Sequence, residues 1–475
     1  MKTRTPSSIY KCKLILIGVL LFINNVSIFA QISEKNFLKE EVLLLQKLIQ
    51  IESYSNHEHE VSDILIQFCK SKGLYVQEFR PDPQSVHFCA SIFPLSERKP
   101  NILFTSHLDV VSAYEDNYWR FSPFSGHIQD DTLWGRGSID CKGLAVMQLF
   151  ALVQMKDSIL KSNSKYNYSF IGMIGEENSS PNGAKWLVNT YLSELQPVVV
   201  LGEGGSGMNQ LVPSKPELEV FGVSVAEKSS LWIRLEVKNK SQGHGAVPPD
   251  LYANKRLLKA LISLLNQKKK IKFTKVSKKM FKDFGEMEGG LKGFVIKHIN
   301  WTIFWPFVKK YFRDGEIFNV LVNDTFVISE MGSLNVGSTN QISQGAFAVL
   351  DCRLLPEADK KKFLRKVQFA VGLKVNVSVI SESPNTAASP ITNFYYSLEK
   401  AIKKTFPESL VSPILFPAST DNNFFRAKGV PTYGLVPVVL SRAAIESIHG
   451  SNEYLTLKQL EQGINVYKEF IKENL

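Results

Sequence analysis

The sequence predicts an α/β fold: a central mixed sheet flanked by helices, with an α+β domain inserted into it. Three observations carry that prediction. Between residues 101 and 201, short apolar runs alternate with segments of helical periodicity. Near residue 226 the pattern changes to two strand–helix units over roughly 160 residues. From about Pro384 the first pattern returns and runs to the C-terminus. A chain of 475 residues is too long for one compact core, so more than one domain is expected. The boundaries read as 1–30 (signal peptide), 31–225 (first part of the main domain), 226–384 (the insertion) and 385–475 (its second part).

The elements follow in order. Leu44, Leu45, Leu48 and Ile49 fall on one side of a helix over Glu40–Gln50, and a second helix is expected over His59–Ser71. Asn101–Thr105 reads as a strand, Gly143–Met155 as a helix, Tyr168–Ile174 as a strand, Ala184–Leu195 as a helix and Val198–Leu201 as a strand. In the insertion, Ser229–Val237 and Phe347–Leu355 read as strands, Leu251–Gln267 and Lys360–Val371 as helices. Val430–Val439 and a helix over Leu457–Asn474 close the chain.

At 44% hydrophobic and 21% charged, the composition is that of a folded globular protein, which excludes a disordered chain. The net charge is +11, and Lys2, Arg4, Lys11 and Lys13 supply four of those charges, leaving a mild excess of seven elsewhere. The cluster from Lys268 to Lys282 reads as a solvated surface rather than a nucleic-acid site. A basic start, the apolar run Leu14–Ile23 and a cut after Ala30 read as an export signal, to the periplasm or the medium. No further segment reads as long and apolar enough to cross a bilayer, so no stable membrane span is expected once the signal is gone. Cys69, Cys89, Cys141 and Cys352 are widely spaced without a CxxC pair and are expected as buried thiols.

Five short stretches carry chemistry. His107 and Asp109 are two apart at the end of a strand, so both point to one face. A carboxylate there can hold one imidazole nitrogen and leave the other for a metal, or the two can form a structural pair. The loop Gly135-Arg136-Gly137-Ser138-Ile139-Asp140 presents Asp140 before a helix, either to bridge two cations or to cap the helix. Glu176-Glu177 follow an apolar strand, where adjacent acids repel unless a cation lies beside them or water solvates the turn. Glu203 lies in a glycine-rich stretch after a strand with no helix behind it, which disfavours a dinucleotide loop. His449 lies in Ile448-His449-Gly450-Ser451-Asn452-Glu453, as a ligand or a structural imidazole. Together they offer two imidazoles, three acids and one spare Glu, a mixed N/O set that suits zinc.

With Trp119, Pro123-Phe124, Gly126, Gly243-His244-Gly245, Asn340, Arg353 and Ser419-Thr420-Asp421 in order, the chain resembles the co-catalytic zinc peptidases: aminoacylases, carboxypeptidase S and glutamate carboxypeptidases. The likeness is strongest to carboxypeptidase S and the secreted N-acyl-amino-acid hydrolases. It implies two Zn2+ per chain, with Co2+ or Mn2+ as substitutes. Asp140 would bridge them, His107 and Glu203 completing one site, Glu177 and His449 the other. It implies Glu176 as general base and Asp109 as the group that orients His107. The insertion would be a lid, often a dimerisation domain, so a homodimer is open to this chain. His244 would reach the scissile carbonyl, and Asn340 and Arg353 would bind the substrate carboxylate. Cys141 stands where relatives have Met. Trp301, Phe304, Trp305 and Phe307 line an acyl-chain groove or pack a lid helix on its own sheet.

The implied activity is metal-dependent hydrolysis of an amide or peptide bond beside a free carboxylate, in a small peptide or N-acyl amino acid. The alternative from another class is an inactive secreted binding protein on the same scaffold. A dead scaffold should have lost a ligand or the base, and this chain keeps all of them.

Overall fold

A computed structural model of the chain describes residues 38–113, 118–239, 243–267, 271–312, 317–335 and 337–475. The export signal and Lys268–Lys270 lie outside the described residues. The strands in chain order are β1 (Tyr75–Asp82), β2 (Ser85–Ser91), β3 (Asn101–His107), β4 (His127–Gln129), β5 (Thr132–Trp134), β6 (Asn167–Met173), β7 (Pro197–Met208) and β8 (Val220–Glu227). After them come β9 (Ser229–Lys238), β10 (Thr325–Leu334), β11 (Gly345–Leu354), β12 (Asn376–Glu382), β13 (Leu410–Phe416), β14 (Thr432–Val439) and β15 (Tyr454–Thr456).

Eight strands form one mixed sheet in the order β1-β2-β6-β3-β7-β14-β8-β13. Its centre is parallel: β3 pairs in that sense with β6 and β7, and β7 with β14. Strands β3 and β6 are buried along their whole length, which explains their continuous apolar reading. The expected helices form here as Glu40–Ile49, His59–Ser71, Lys142–Lys161, Ala184–Leu195 and Leu457–Lys472. The last of these starts with a capping box, Thr456 and Gln459 each accepting from the other's backbone N–H.

One expectation needs correcting. The helix Lys142–Lys161 is long and apolar enough to cross a membrane by length and composition. It is instead a core helix, with buried residues from Lys142 to Ile159 on all sides. Even Lys142 is buried; its ammonium donates to the carbonyls of Leu48 and Ile51, both at 2.8 Å. Cys69, Cys89, Cys141 and Cys352 are buried free thiols, as composition and spacing suggest.

The four-stranded antiparallel sheet, in the order β10-β11-β9-β12, is interposed in the chain between β8 and β13. Helices Ala253–Leu265 and Lys360–Val371 cover one face through Leu257, Leu261, Leu264 and Val367. The chain enters and leaves this sheet side by side. The amide of Ser230 donates to Ser383 Oγ at 2.9 Å, and the amide of Ser383 donates to the Ser230 carbonyl at 3.1 Å. The aromatic stretch before β10 does not pack on this sheet. Helix Lys275–Glu288 lies against β13 instead, where Ser412 Oγ donates to Asp283 Oδ2 at 2.9 Å. Periodicity cannot choose between two sheets, because either would bury the same face of the helix.

Candidate metal centre

His107 is the last residue of β3, and the next amide, Leu108, still bonds to Met173 at the end of β6. Glu176 and Glu177 follow β6 directly. Glu203 lies within β7, where the pairing with β14 slips between Gly434 and Leu435, so that Gly202 and Gly205 are paired but Glu203 is not. Such a bulge re-aims a side chain out of the ladder. These parallel strands therefore deliver His107, Glu177 and Glu203 at one end of the sheet, where ligand sites form in open α/β folds.

Asp140 sits between the two imidazoles. Its Oδ1 is 2.9 Å from His107 Nε2 and its Oδ2 is 3.1 Å from His449 Nε2. Glu203 lies on the first side, 3.7 Å from His107 Nε2, and Glu177 on the second, 3.3 Å from His449 Nε2. Donor atoms of His107, Asp140, Cys141 and Glu203 come within 4.8 Å of one another, as do those of Asp140, Glu177 and His449. Glu176 joins His107 and Glu177 in a third such group. His449 takes a left-handed backbone, with φ 60°, to turn its ring inward.

The electrostatics ask for positive charge. Burial, then the charge of Glu203, push the Glu176 carboxyl well above its ordinary range. Burial likewise raises Glu177 and Glu203. Hydrogen bonds from Asp140 and Glu177 lift His449 to about 10. Glu177 Oε1 is buried without a hydrogen-bond partner. Four carboxylates crowded around two imidazoles, with an orphaned buried oxygen, fit a divalent cation site.

Asp109 holds this arrangement together differently from the expected orienting role. Its carbonyl oxygen bonds His107 Nδ1 at 3.0 Å, while its carboxylate stands 3.5 Å from that nitrogen. The carboxylate instead accepts from the amides of Glu176 (3.2 Å) and Glu177 (3.0 Å) and from Ser55 Oγ (2.6 Å). Burial opposes its ionisation, but His107 and these donors hold the carboxyl below its usual range. Glu58 adds a second anchor, accepting from the Gly175 amide at 3.0 Å.

Sequence reasoning missed the partner of the Asp140 loop. Glu453 is fully buried and accepts from Arg136 Nη1 (2.8 Å) and from the amides of Gly137 (2.9 Å), Ile139 (2.8 Å) and Asp140 (3.0 Å). Arg136 Nη2 donates to the Gly450 carbonyl at 2.7 Å, next to His449. One signal could have revealed this: an arginine between two glycines needs a buried acid, and Glu453 ends the motif that holds His449.

The remaining expected residues are elsewhere. His244 and Asn340 come together on loops of the four-stranded sheet, lining a depression of about 320 Å³ with Gly243, Ser338 and Gln341. The Gly245 amide donates to the Asn340 carbonyl at 2.6 Å, and His244 Nδ1 accepts from the Ala246 amide at 3.0 Å. Arg353, on β11, is engaged by Asp351, its Nε 2.9 Å from Oδ1 and its Nη2 3.0 Å from Oδ2. None of these printed contacts reaches the carboxylate cluster, among the described residues.

An α/β sheet that ends in such a cluster defines a metal-dependent hydrolase of the peptidase and amidohydrolase class. The sequence matches the model of peptidase family M20/M25/M40 over residues 103–473, and the chain belongs to that family. It is 27% identical over 392 residues to a probable carboxypeptidase S-like 2 of Dictyostelium discoideum, covering 80% of this chain and 72% of the relative. It is 26% identical over 477 residues to the N-fatty-acyl-amino acid synthase/hydrolase PM20D1 of Xenopus tropicalis, covering 95% and 88%. Among solved structures, an M20 family metallo-carboxypeptidase from Sulfolobus solfataricus superposes with a TM-score of 0.71 at 18% identity, covering 92% of this chain and 99% of that one.

Proposed function

We propose that this protein hydrolyses the amide bond of an N-acyl amino acid, or the last peptide bond of a small peptide, at a site for two divalent cations, zinc first among them. The observation that carries the reading is Asp140, whose two oxygens face His107 and His449 separately. In this reading His107, Asp140 and Glu203 hold one cation, and Asp140, Glu177 and His449 the other. Two cations there would supply Lewis acidity, making water more acidic and stabilising developing negative charge on the carbonyl. Glu176 takes a proton from the attacking water and delivers it to the leaving nitrogen as the C–N bond breaks. Asp109 keeps Glu176 and Glu177 in place through their amides.

The four-stranded unit acts as a lid, with His244 turned to the scissile carbonyl and Asn340 and Arg353 to the free carboxylate. Arg353 would exchange Asp351 for the substrate, a swap between two carboxylates for the same planar donors. The names of the relatives support an acyl amino acid as substrate. Export through residues 1–30 and a homodimer formed through the lid belong to the same reading.

The test is a screen of N-acyl amino acids against dipeptides on zinc-loaded protein, with bound metal counted. About two ions per chain and turnover of at least one substrate class are expected. A stable protein that holds metal but cleaves neither class would favour a binding protein on a peptidase scaffold.

A further inference from the structure

The stretch 289–312 contains Lys292, Lys297, Lys309 and Lys310 and no acidic residue. It forms helix Gly290–Lys297, the short turn Thr302–Phe304 and the helical turn Trp305–Val308. Helix Gly290–Lys297 is anchored on helix Lys275–Glu288 by a glycine-to-glycine approach; a Cβ on Gly293 would meet the Gly285 carbonyl oxygen. What this anchoring leaves outside is apolar. Leu291 is 82% exposed, Ile303 71% and Phe307 72%, and Phe294 and Trp301 are about half exposed.

The rings there are already assembled. Phe294 lies 4.4 Å from His298, His298 4.3 Å from Trp301, and Trp301 stacks on Phe304 at 6.0 Å with an angle of 11°. Neither expected role fits this geometry: the side chains do not pack on the four-stranded sheet, and Ile303 and Phe307 face solvent. An apolar patch of this kind on a folded protein marks an interaction surface. Its chemistry distinguishes the partner. Lysines alone would suit any polyanion, but a nucleic acid offers nothing to bury Leu291 or Ile303. Tryptophan and phenylalanine flanked by lysines, without carboxylates, match the headgroup region of an anionic bilayer, where rings and aliphatic tips enter the acyl boundary and ammonium groups meet phosphates.

We infer that residues 290–310 dock this protein on the surface of anionic phospholipid membranes, without spanning them. The surface stands apart from the carboxylate cluster, so it does not depend on which bond the enzyme cleaves.

The test uses the whole chain and vesicles of phosphatidylcholine with about a third phosphatidylglycerol. Wild-type protein should sediment with these vesicles, not with pure phosphatidylcholine, and release as salt is raised. Its tryptophan emission should shift to the blue on binding, and most of that shift should vanish in Trp301→Phe. The double variant Leu291→Ser/Ile303→Ser should bind at least about tenfold more weakly. So should Lys292→Gln/Lys309→Gln, while hydrolysis of a soluble substrate stays unchanged in both. Because Leu291 and Ile303 are exposed, the serine variant should keep its fold; Trp301 emission provides a readout that needs no change at either position. Absence of binding to anionic vesicles overturns the inference. So does binding that survives in Leu291→Ser/Ile303→Ser, which would place the contact elsewhere on the chain. Equal capture by duplex DNA, insensitive to the serine substitutions, would overturn it in favour of a general polyanion surface.

Discussion

Replacing Glu453 by glutamine should loosen the whole Asp140 loop, although residue 453 touches neither imidazole. In the native protein each carboxylate oxygen accepts twice: Oε1 from the amides of Ile139 and Asp140, Oε2 from Arg136 and the Gly137 amide. A glutamine can replace only one of these oxygens. Its NH2 group must face two donors, and the Arg136 guanidinium loses its buried counter-charge. Burial pushes the Glu453 carboxyl upward against the pull of Arg136, so the ion is held there by its donors rather than by solvent. Breaking a buried pair in this way costs about 3–5 kcal/mol, and two unmet donors at about 1–3 kcal/mol each reach the same range. The expected result is a loss of about 3–5 kcal/mol in unfolding free energy, read from urea denaturation. With it should come a roughly 10- to 100-fold weaker hold on metal, the size typical of a lost supporting contact. A Glu453→Gln protein within about 1 kcal/mol of wild type, with unchanged metal affinity, would refute the argument.

Three further outcomes are expected. Glu176→Gln should retain its metal and lose roughly 10²-fold or more in kcat, whereas Glu177→Gln should lose metal; equal metal loss in both would sink the assignment. Wild type should prefer a free α-carboxylate over the corresponding amide by about ten- to a hundredfold in kcat/KM, and Arg353→Ala should erase most of that with metal unchanged; a wild type indifferent to the amide would point to a general amidase. His87 gives a pH dependence independent of metal. Its buried ring bonds the Asn182 carbonyl at 2.7 Å, and burial pushes its pKa from 6.5 down to about 4. The folded state thus keeps the neutral ring while the unfolded chain takes up a proton near 6.5. This contribution, about 3 kcal/mol, is whole above pH 6.5 and is lost as pH falls toward 4. His87→Gln should flatten melting temperature against pH in that window, and an unchanged acid limb would contradict it.

Much of the main sheet was legible because its central strands are buried on both faces and read as unbroken apolar runs, as in Asn101–His107 and Asn167–Met173. The hairpin β1–β2 and the edge strands β10 and β12 escaped notice. Their burial is partial and irregular, as in Asn376–Glu382, where most side chains are exposed and no alternation survives. The helix Lys142–Lys161 escaped the bilayer test only because it was read too short, Gly143–Met155; its full length includes Lys142, which becomes tolerable in the core once two carbonyls receive it.

By itself the sequence determined the α/β class and the residue types of the cluster, because those depend on local periodicity and on a few short motifs. It named His107, Asp140, Glu176, Glu177, Glu203 and His449 separately, each with a bland alternative. Only the tertiary structure decided which of them meet. His449 comes from more than 300 positions beyond Asp140, yet the two lie 3.1 Å apart, since strand order rather than chain order sets distance across a sheet. The tertiary structure alone also decided that Asp109 holds amides with its carboxylate, that Glu453 closes on Arg136, and that the aromatic stretch leaves Ile303 in solvent. Each is a contact between segments remote in sequence, and local patterns specify which faces seek burial but not which partner supplies it.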